Sequence, residues 1–285
     1  MEIVYKFCSK YGLEILRNLE LKVTPPNQLN DPFEFTPNTF CSDAAGYAKR
    51  IFEHGIDGVG FKKFYDYRHS RGKYLGTFRE FQEKYKDKIP TLIAMLAKAP
   101  QDTSPLHDKS FLDEVSKQYG ILCLSQRRDK ILMWGHYCDM PLGLVIGFDK
   151  SSAIFRLGNG LRPVIYVQTR VVCDQCWEVG SPELLNYENE IIFHKNADWA
   201  YEAESRQLFA LSSSSLSKKP LKDENRTLGY FIPFPPEAIV SVTLGPRNSP
   251  ELENEVREIL QKPCFAHVKL DHAVLHKSAF VLEFE

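Results

Sequence analysis

Several familiar signatures are missing from this 285-residue chain. No apolar run approaches the ~20 residues that a bilayer-spanning helix needs. The opening MEIVYKFCSK lacks the long apolar core and small-residue cleavage site of a secretory leader. Neither charge sign dominates: 36 Lys and Arg face 37 Asp and Glu, for a formal net charge of -1. A general polyanion binder is therefore not expected, although a local basic patch remains compatible with these totals. The phosphate-cradling patterns GxxxxGK[ST] and GxGxxG are absent, as are GxSxG and HExxH. Their absence argues against P-loop ATPases, kinases, Rossmann dehydrogenases, α/β-hydrolases and zincin proteases. No repeat with a period of 20–50 residues is visible.

The seven cysteines are odd in number and scattered. With no secretory leader they read as reduced thiols, and the expected location is the cytoplasm. Cys173 and Cys176 form one CxxC, but Cys123 and Cys138 do not supply the second pair of a structural zinc site. No metal site is expected. Hydrophobic content of 43% and charged content of 26% are those of a globular protein with a sizeable core.

The chain opens with strand, helix, strand and polar loop: Ile3–Phe7, Tyr11–Leu19, Leu21–Thr24, and then Asn27–Phe35 (NQLNDPFEF). In that loop Asn30 and Asp31 can shape a pocket rim or cap a turn through side-chain hydrogen bonds. Ser42–Gln118 is charged and aromatic and reads as a helical insertion, with a helix at Thr91–Ala99 closed by Pro100 and a loop over Pro100–Pro105. Its basic and aromatic residues could meet a nucleic acid or protein, or form the two faces of packed helices. The predicted division is 1–41 and 119–285 for an α+β core and 42–118 for the insertion.

Strands are predicted at Ile121–Ser125, Gly143–Phe148, Leu161–Val172, Ala238–Gly245, Cys264–Leu270 and Ala279–Phe284. Helices are predicted at Pro182–Lys195 and Glu251–Gln261, and Ser212–Asn225 reads as a serine- and lysine-rich mobile loop. Between the first two of those strands lies QRRDKILMWGHYCDMPL, dense in Arg127, Arg128, Trp134, His136 and Tyr137. Trp134 and Tyr137 can present a stacking face, or anchor a short amphipathic helix in the core. Further on, Asp198–Leu211 (DWAYEAESRQLFAL) sets Glu202, Glu204 and Arg206 two residues apart. In an extended strand those three share one face. A mixed-charge row leading into an apolar strand faces either water or a ligand.

NQLNDPFEF, CLSQRRDKILMWGHYCDMPLGLVIGFD and WAYEAESR, followed by a proline-bounded AIVSVTLGPR, stand together in this order. The set resembles the bacterial family called domain of unknown function 2971 over most of the chain outside the insertion. More distantly, the order of parts resembles the ADP-ribosyltransferases of the DNA-targeting toxin type. The matching parts are VYKF with YGLEIL, CLSQRRDKILMWGHY, EAESRQLFAL and FPPEAIVSVTLG.

The resemblance implies an α+β fold with an ADP-ribosyltransferase-like core of short strands in two packed sheets, interrupted by a helical insertion. It also implies a bacterial enzyme that takes NAD as substrate, of the kind found among toxins and phage-defence effectors, with a nucleic acid or a protein as acceptor. Glu204 or Glu202 would be the catalytic carboxylate. Tyr5, Lys6, Arg127, Trp134, His136, Tyr137 and Arg206 would contact the nucleotide. The chain departs from those toxins in carrying Lys6 where their first strand has His or Arg. Two alternatives stay open. One is a recognition module that binds a nucleotide, nucleic acid or protein without turnover. The other is a metal-dependent nuclease using Asp31, Glu34, Glu202 and Glu204.

Overall fold

The computed structural model describes residues 1–9, 12–70, 72–97, 112–139, 142–177, 180–221 and 228–285. The chain is mixed α+β and divides into two compact units. The first comprises Met1–Phe35, Phe111–Thr169 and Ile192–Glu285; the second comprises Thr36–Ser110 and Arg170–Ile191. The insertion expected at 42–118 therefore corresponds to most of the second unit, which starts earlier and also takes in 170–191. That returning segment carries no shift in composition to mark it.

The first unit is built on an eight-stranded sheet. Its strand order is Leu282–Phe284, Lys269–Leu275, Ile239–Leu244, Leu144–Asp149, Ile3–Cys8, Tyr119–Ser125, Glu204–Ala210 and Arg162–Pro163. Neighbours run antiparallel except Ile239–Leu244 and Lys269–Leu275, which are parallel. A parallel pair needs a crossover, and the helix Pro250–Leu260 lies between them in the chain. That helix starts where the Ser249 hydroxyl accepts from the Leu252 amide, and it buries Leu252, Val256 and Ile259 on one face.

A second sheet joins Ser217–Pro220, Leu228–Pro233 and Glu20–Val23. Leu21, Val23 and Ile232 of this sheet share one core with Leu122, Leu124, Ile146 and Phe148 of the large sheet. Ser217–Pro220 corrects the loop expected over Ser212–Asn225: with Leu228–Pro233 as partner, a serine-lysine stretch pairs through its backbone. Residues 222–225 of that expected loop lie outside the described residues, as do Tyr11, residues 98–99 of the predicted helix and the whole Pro100–Pro105 loop.

One irregularity of the large sheet positions the site. Ile3–Cys8 pairs with Leu144–Asp149 along its whole length but meets Tyr119–Ser125 only at Tyr5 and Ser125. Tyr119–Ser125 in turn pairs fully with Glu204–Ala210. The sheet thus splays between its first strand and Tyr119–Ser125. Across the opening Lys6 Nζ donates to the Cys123 carbonyl at 3.0 Å, in place of a missing ladder bond.

The second unit packs Phe52, Phe61, Tyr65, Phe81 and Leu92 into an aromatic core of its own. Its helices include Ala44–Ile51, Val59–Ser70, Phe78–Tyr85 and Ile89–Leu96. Thr77 and Glu80 form a reciprocal capping box at the start of Phe78–Tyr85. A short parallel ladder joins Asn38–Phe40 to Val172–Asp174.

Candidate functional site

Glu202 and Glu204 are two apart in the chain, but only Glu204 lies in the strand. Glu202 ends a 3-10 helix, Ala197–Glu202, and Ala203 turns the chain with a left-handed φ of 44° before Glu204–Ala210 begins. The continuous strand read from the alternation is thus corrected. The αL turn still brings both carboxylates to one place.

Lys195 is the point on which they converge. Its Nζ lies 2.6 Å from Glu202 Oε2, 3.0 Å from Glu204 Oε2 and 3.0 Å from Glu34 Oε1. It is held in the strand His194–Asn196, which pairs in parallel with Ile165–Val167 and sets Lys195 opposite Tyr166. The Tyr166 hydroxyl accepts the Glu204 amide at 2.7 Å. Arg206 completes the cluster. Its Nε and Nη2 fork onto the two oxygens of Glu204 at 2.9 and 3.0 Å, Nη2 also reaches Glu34 Oε1 at 2.8 Å, and Nη1 donates to the Ile192 carbonyl at 2.9 Å.

All five charged groups are buried, so their protonation is set by one another. Burial acts to raise the Glu204 carboxyl, but Arg206 and Lys195 outweigh it and hold the group down at about 2. Burial prevails at Glu34 and lifts its carboxyl above the usual range, against Arg206 and Lys195. For Lys195, burial disfavours the charge, yet Glu204, Glu34 and Glu202 keep the ammonium well above its ordinary value. Lys195 is therefore firmly protonated and is no nucleophile.

The cluster forms one wall of a cleft of about 270 Å³ at the splay in the sheet. Lys195, Glu202 and Glu204 line it together with Tyr5, Lys6, Phe7, Asn30, Cys123 and Tyr137. The Tyr137 hydroxyl donates to Glu202 Oε1 at 2.6 Å. Burial, followed by the Glu202 charge, pushes that hydroxyl well above its ordinary value, so it stays a donor. Burial also pushes the Cys123 thiol well up, with the Glu204 charge adding to it, which removes Cys123 as a nucleophile.

Of the expected site residues, the structure brings Glu202, Glu204, Tyr5, Lys6 and Tyr137 together around this cleft. Trp134 is not among them. It is fully buried on the helix Ile131–Tyr137, packs edge-on against Phe7 with centroids 5.7 Å apart, and donates its indole N–H to the Arg128 carbonyl at 2.7 Å. An enclosed ring has no face for a ligand, so Trp134 is a core anchor. Arg206 is fully buried, gives four of its five N–H donors to Glu204, Glu34 and the Ile192 carbonyl, and does not line the cleft, so it is not placed to meet a phosphate there.

Arg127 is exposed and forked onto Asp129. His136 is exposed and stacks on Tyr201, with Trp199 nearby. Asp31 Oδ1 accepts the Phe33 amide and caps the turn. Lys195 escaped the sequence reading because it closes the predicted helix Pro182–Lys195 like any C-terminal cation; the helix ends at Phe193 and Lys195 lies in the strand that follows. Glu34 was read as a polar group of a loop and as one carboxylate of the nuclease alternative, not as a partner of Arg206 and Lys195.

The nuclease set of Asp31, Glu34, Glu202 and Glu204 is met only in part. Three of the four carboxylates converge, but on the ammonium of Lys195, which fills the position a divalent cation would take. Among the described residues no group of three His, Cys, Asp or Glu is placed to hold a metal ion, and no helix is long and apolar enough to cross a membrane. Compared with known proteins, the chain matches no family model, no curated sequence and no solved structure.

Proposed function

We propose that the chain is an ADP-ribosyltransferase-like enzyme that cleaves the bond between nicotinamide and ribose in NAD and passes the ADP-ribosyl group to a nucleic acid or protein acceptor. The observation that carries this reading is the meeting of the first strand, the Tyr137 helix and the glutamates at the head of an apolar strand around one cleft. The resemblance described above supplies the bacterial toxin or phage-defence setting, as an analogy of fold and motif.

Nicotinamide departure builds positive charge on the ribose ring, as in glycoside hydrolysis. A fixed carboxylate beside the ring stabilises that charge, and it can also accept from a ribose hydroxyl. Glu202 is the carboxylate suited to the task. An ionised carboxylate has about four acceptor sites. Glu204 gives its sites to Arg206 twice, to Lys195 and to the Cys123 thiol. Among the described residues Glu202 accepts from Tyr137 and Lys195 alone, and so has capacity left for a ligand. Glu204, Arg206, Glu34 and Lys195 act as positioning residues that fix Glu202 and its charge.

The cleft sits just below the ~300–1,000 Å³ of a typical small-molecule site. It suits the nicotinamide-ribose half of NAD, with Tyr5 and Tyr137 for the ring and Lys6 for the adjoining phosphate. The decisive experiment is chromatographic detection of nicotinamide after incubation with NAD. Wild type is expected to release it, and Glu202→Gln to slow release by roughly 100-fold or more. No release from wild type overturns the reading.

A recognition module without turnover is the second reading, favoured by the ion pairing of both glutamates. NAD or a nucleotide that raises the melting temperature while nicotinamide stays bound would support it.

A further inference from the structure

The second unit carries a feature that the NAD reading does not use. Cys41 and Cys176 stand 135 residues apart in the chain, yet their sulfurs are 3.3 Å apart, and both are free thiols. This is inside the contact distance of two unbonded sulfurs, and the surrounding backbone is arranged to keep it. The parallel ladder between Asn38–Phe40 and Val172–Asp174 ends one residue before each segment turns toward the pair. Gln175 extends it by donating to the Phe40 carbonyl at 3.0 Å. Asp174 Oδ1 then accepts two amides, from Ser42 at 3.1 Å and from Cys176 at 2.9 Å, and so fixes the residues beside both sulfurs. The Asp43 amide donates to Cys176 Sγ at 3.3 Å. Arg50 closes the arrangement by donating to the Cys176 carbonyl at 3.0 Å.

We propose that Cys41 and Cys176 form a reversible disulfide when the protein meets a peroxide, which makes this pair an oxidation site that clamps the two segments of the helical unit together. The two thiols have different parts. Cys41 is buried, and burial with Cys176 alongside pushes its thiol up to about 12, so it does not react first. Cys176 is half-exposed, so a peroxide reaches its sulfur first; that sulfur accepts the Asp43 N–H and lies 3.5 Å from the Asp43 carbonyl. The Cys176 thiolate attacks one oxygen of hydrogen peroxide, the O–O bond breaks, and hydroxide leaves; Cys176 is then a sulfenic acid.

The Cys41 sulfur next attacks the Cys176 sulfur. The S–O bond breaks, the Cys41 proton leaves with the hydroxyl as water, and the S–S bond forms. Overall two thiols and one peroxide give one disulfide and two waters. A thiol reductant such as dithiothreitol reverses the change. Cys173, the other cysteine of the CxxC, lies in the ladder opposite Thr39 rather than at the contact. The expected linkage therefore bridges distant segments and does not close the CxxC.

The test treats the full-length reduced protein with hydrogen peroxide, blocks remaining thiols with iodoacetamide, and maps the digested peptides by mass. The expected result is a peptide pair joining Cys41 to Cys176 that dithiothreitol separates. In Cys41→Ser the expected product is a Cys176 sulfenic acid that dimedone traps; in Cys176→Ser, Cys41 stays a thiol under the same exposure. The proposal is overturned if both cysteines are recovered alkylated from peroxide-treated wild type, or if Cys176 is linked to Cys173. The wild-type map decides the question even if a variant does not fold.

Discussion

Arg206 is a guanidinium without exposed surface, shared between two carboxylates and a carbonyl. Removing one partner of a buried charge group leaves the others uncompensated, which costs about 3–5 kcal/mol. Arg206→Met is therefore expected to lower the free energy of urea unfolding by an amount in that range, and Arg206→Lys to recover only part of it, because an ammonium cannot fork onto Glu204. A pH test separates Glu204 from its neighbours. Its folded value near 2 lies below the ordinary 4.5, so its stabilising effect, roughly 3 kcal/mol, is complete above about 4.5 and lost as pH falls through 2. The gap in stability between wild type and Glu204→Gln should be widest at neutral pH and close toward pH 2. A gap that stays constant down to pH 2 would reject the assignment.

At this scale the acidic pair and Tyr137 were legible, because unusual charge alternation and an aromatic-rich loop are local patterns. Lys195 and the pairing of Arg206 were not. A buried cation differs from a surface one only in what distant strands bring to it.

Between residues and the whole, local geometry decides how an element delivers its side chains. Ala203 occupies a left-handed conformation at the junction of the 3-10 helix and the strand. Glycine there relieves steric strain but loses more chain entropy on folding, two effects of similar size. Ala203→Gly is expected to melt within about 0.5 kcal/mol of wild type, whereas Ala203→Val should lose about 1–3 kcal/mol, since a β-branched side chain fits that conformation badly. Gly143, just before the strand Leu144–Asp149, tolerates no side chain: a Cβ would lie 2.1 Å from the Cys8 carbonyl oxygen. Gly143→Ala should lower the melting temperature by several degrees, corresponding to about 1–3 kcal/mol of overpacking.

Most strands and the helix Pro250–Leu260 were readable from hydrophobic pattern. The turn at Ala203 was not, because an αL residue between two glutamates leaves the same alternation in the sequence as an unbroken strand. Ser217–Pro220 was missed for a related reason: backbone pairing asks nothing of side-chain hydrophobicity at a sheet edge.

Across the whole chain, the two units have separate hydrophobic cores, the first mixed aliphatic and aromatic and the second mainly aromatic. Calorimetry is expected to resolve two transitions, and peroxide treatment should move only the one belonging to the unit that holds Cys41 and Cys176. A single transition with equal calorimetric and van't Hoff enthalpies would show that the units unfold together. The α+β class was legible from the mixture of short strands and helices. The assignment of 170–191 to the helical unit was not, since its strand and helix look like the core elements on either side of it.

Ile3–Cys8 is synthesised well before either strand it pairs with: it lies inside the eight-stranded sheet, and both of its neighbours are more than a hundred residues downstream. Throughout that stretch of synthesis Val4, Phe7 and Cys8 have no sheet to enter. The nascent chain must carry an apolar strand uncovered while the helical unit is being made, and a chaperone that holds extended segments meets its substrate at this strand.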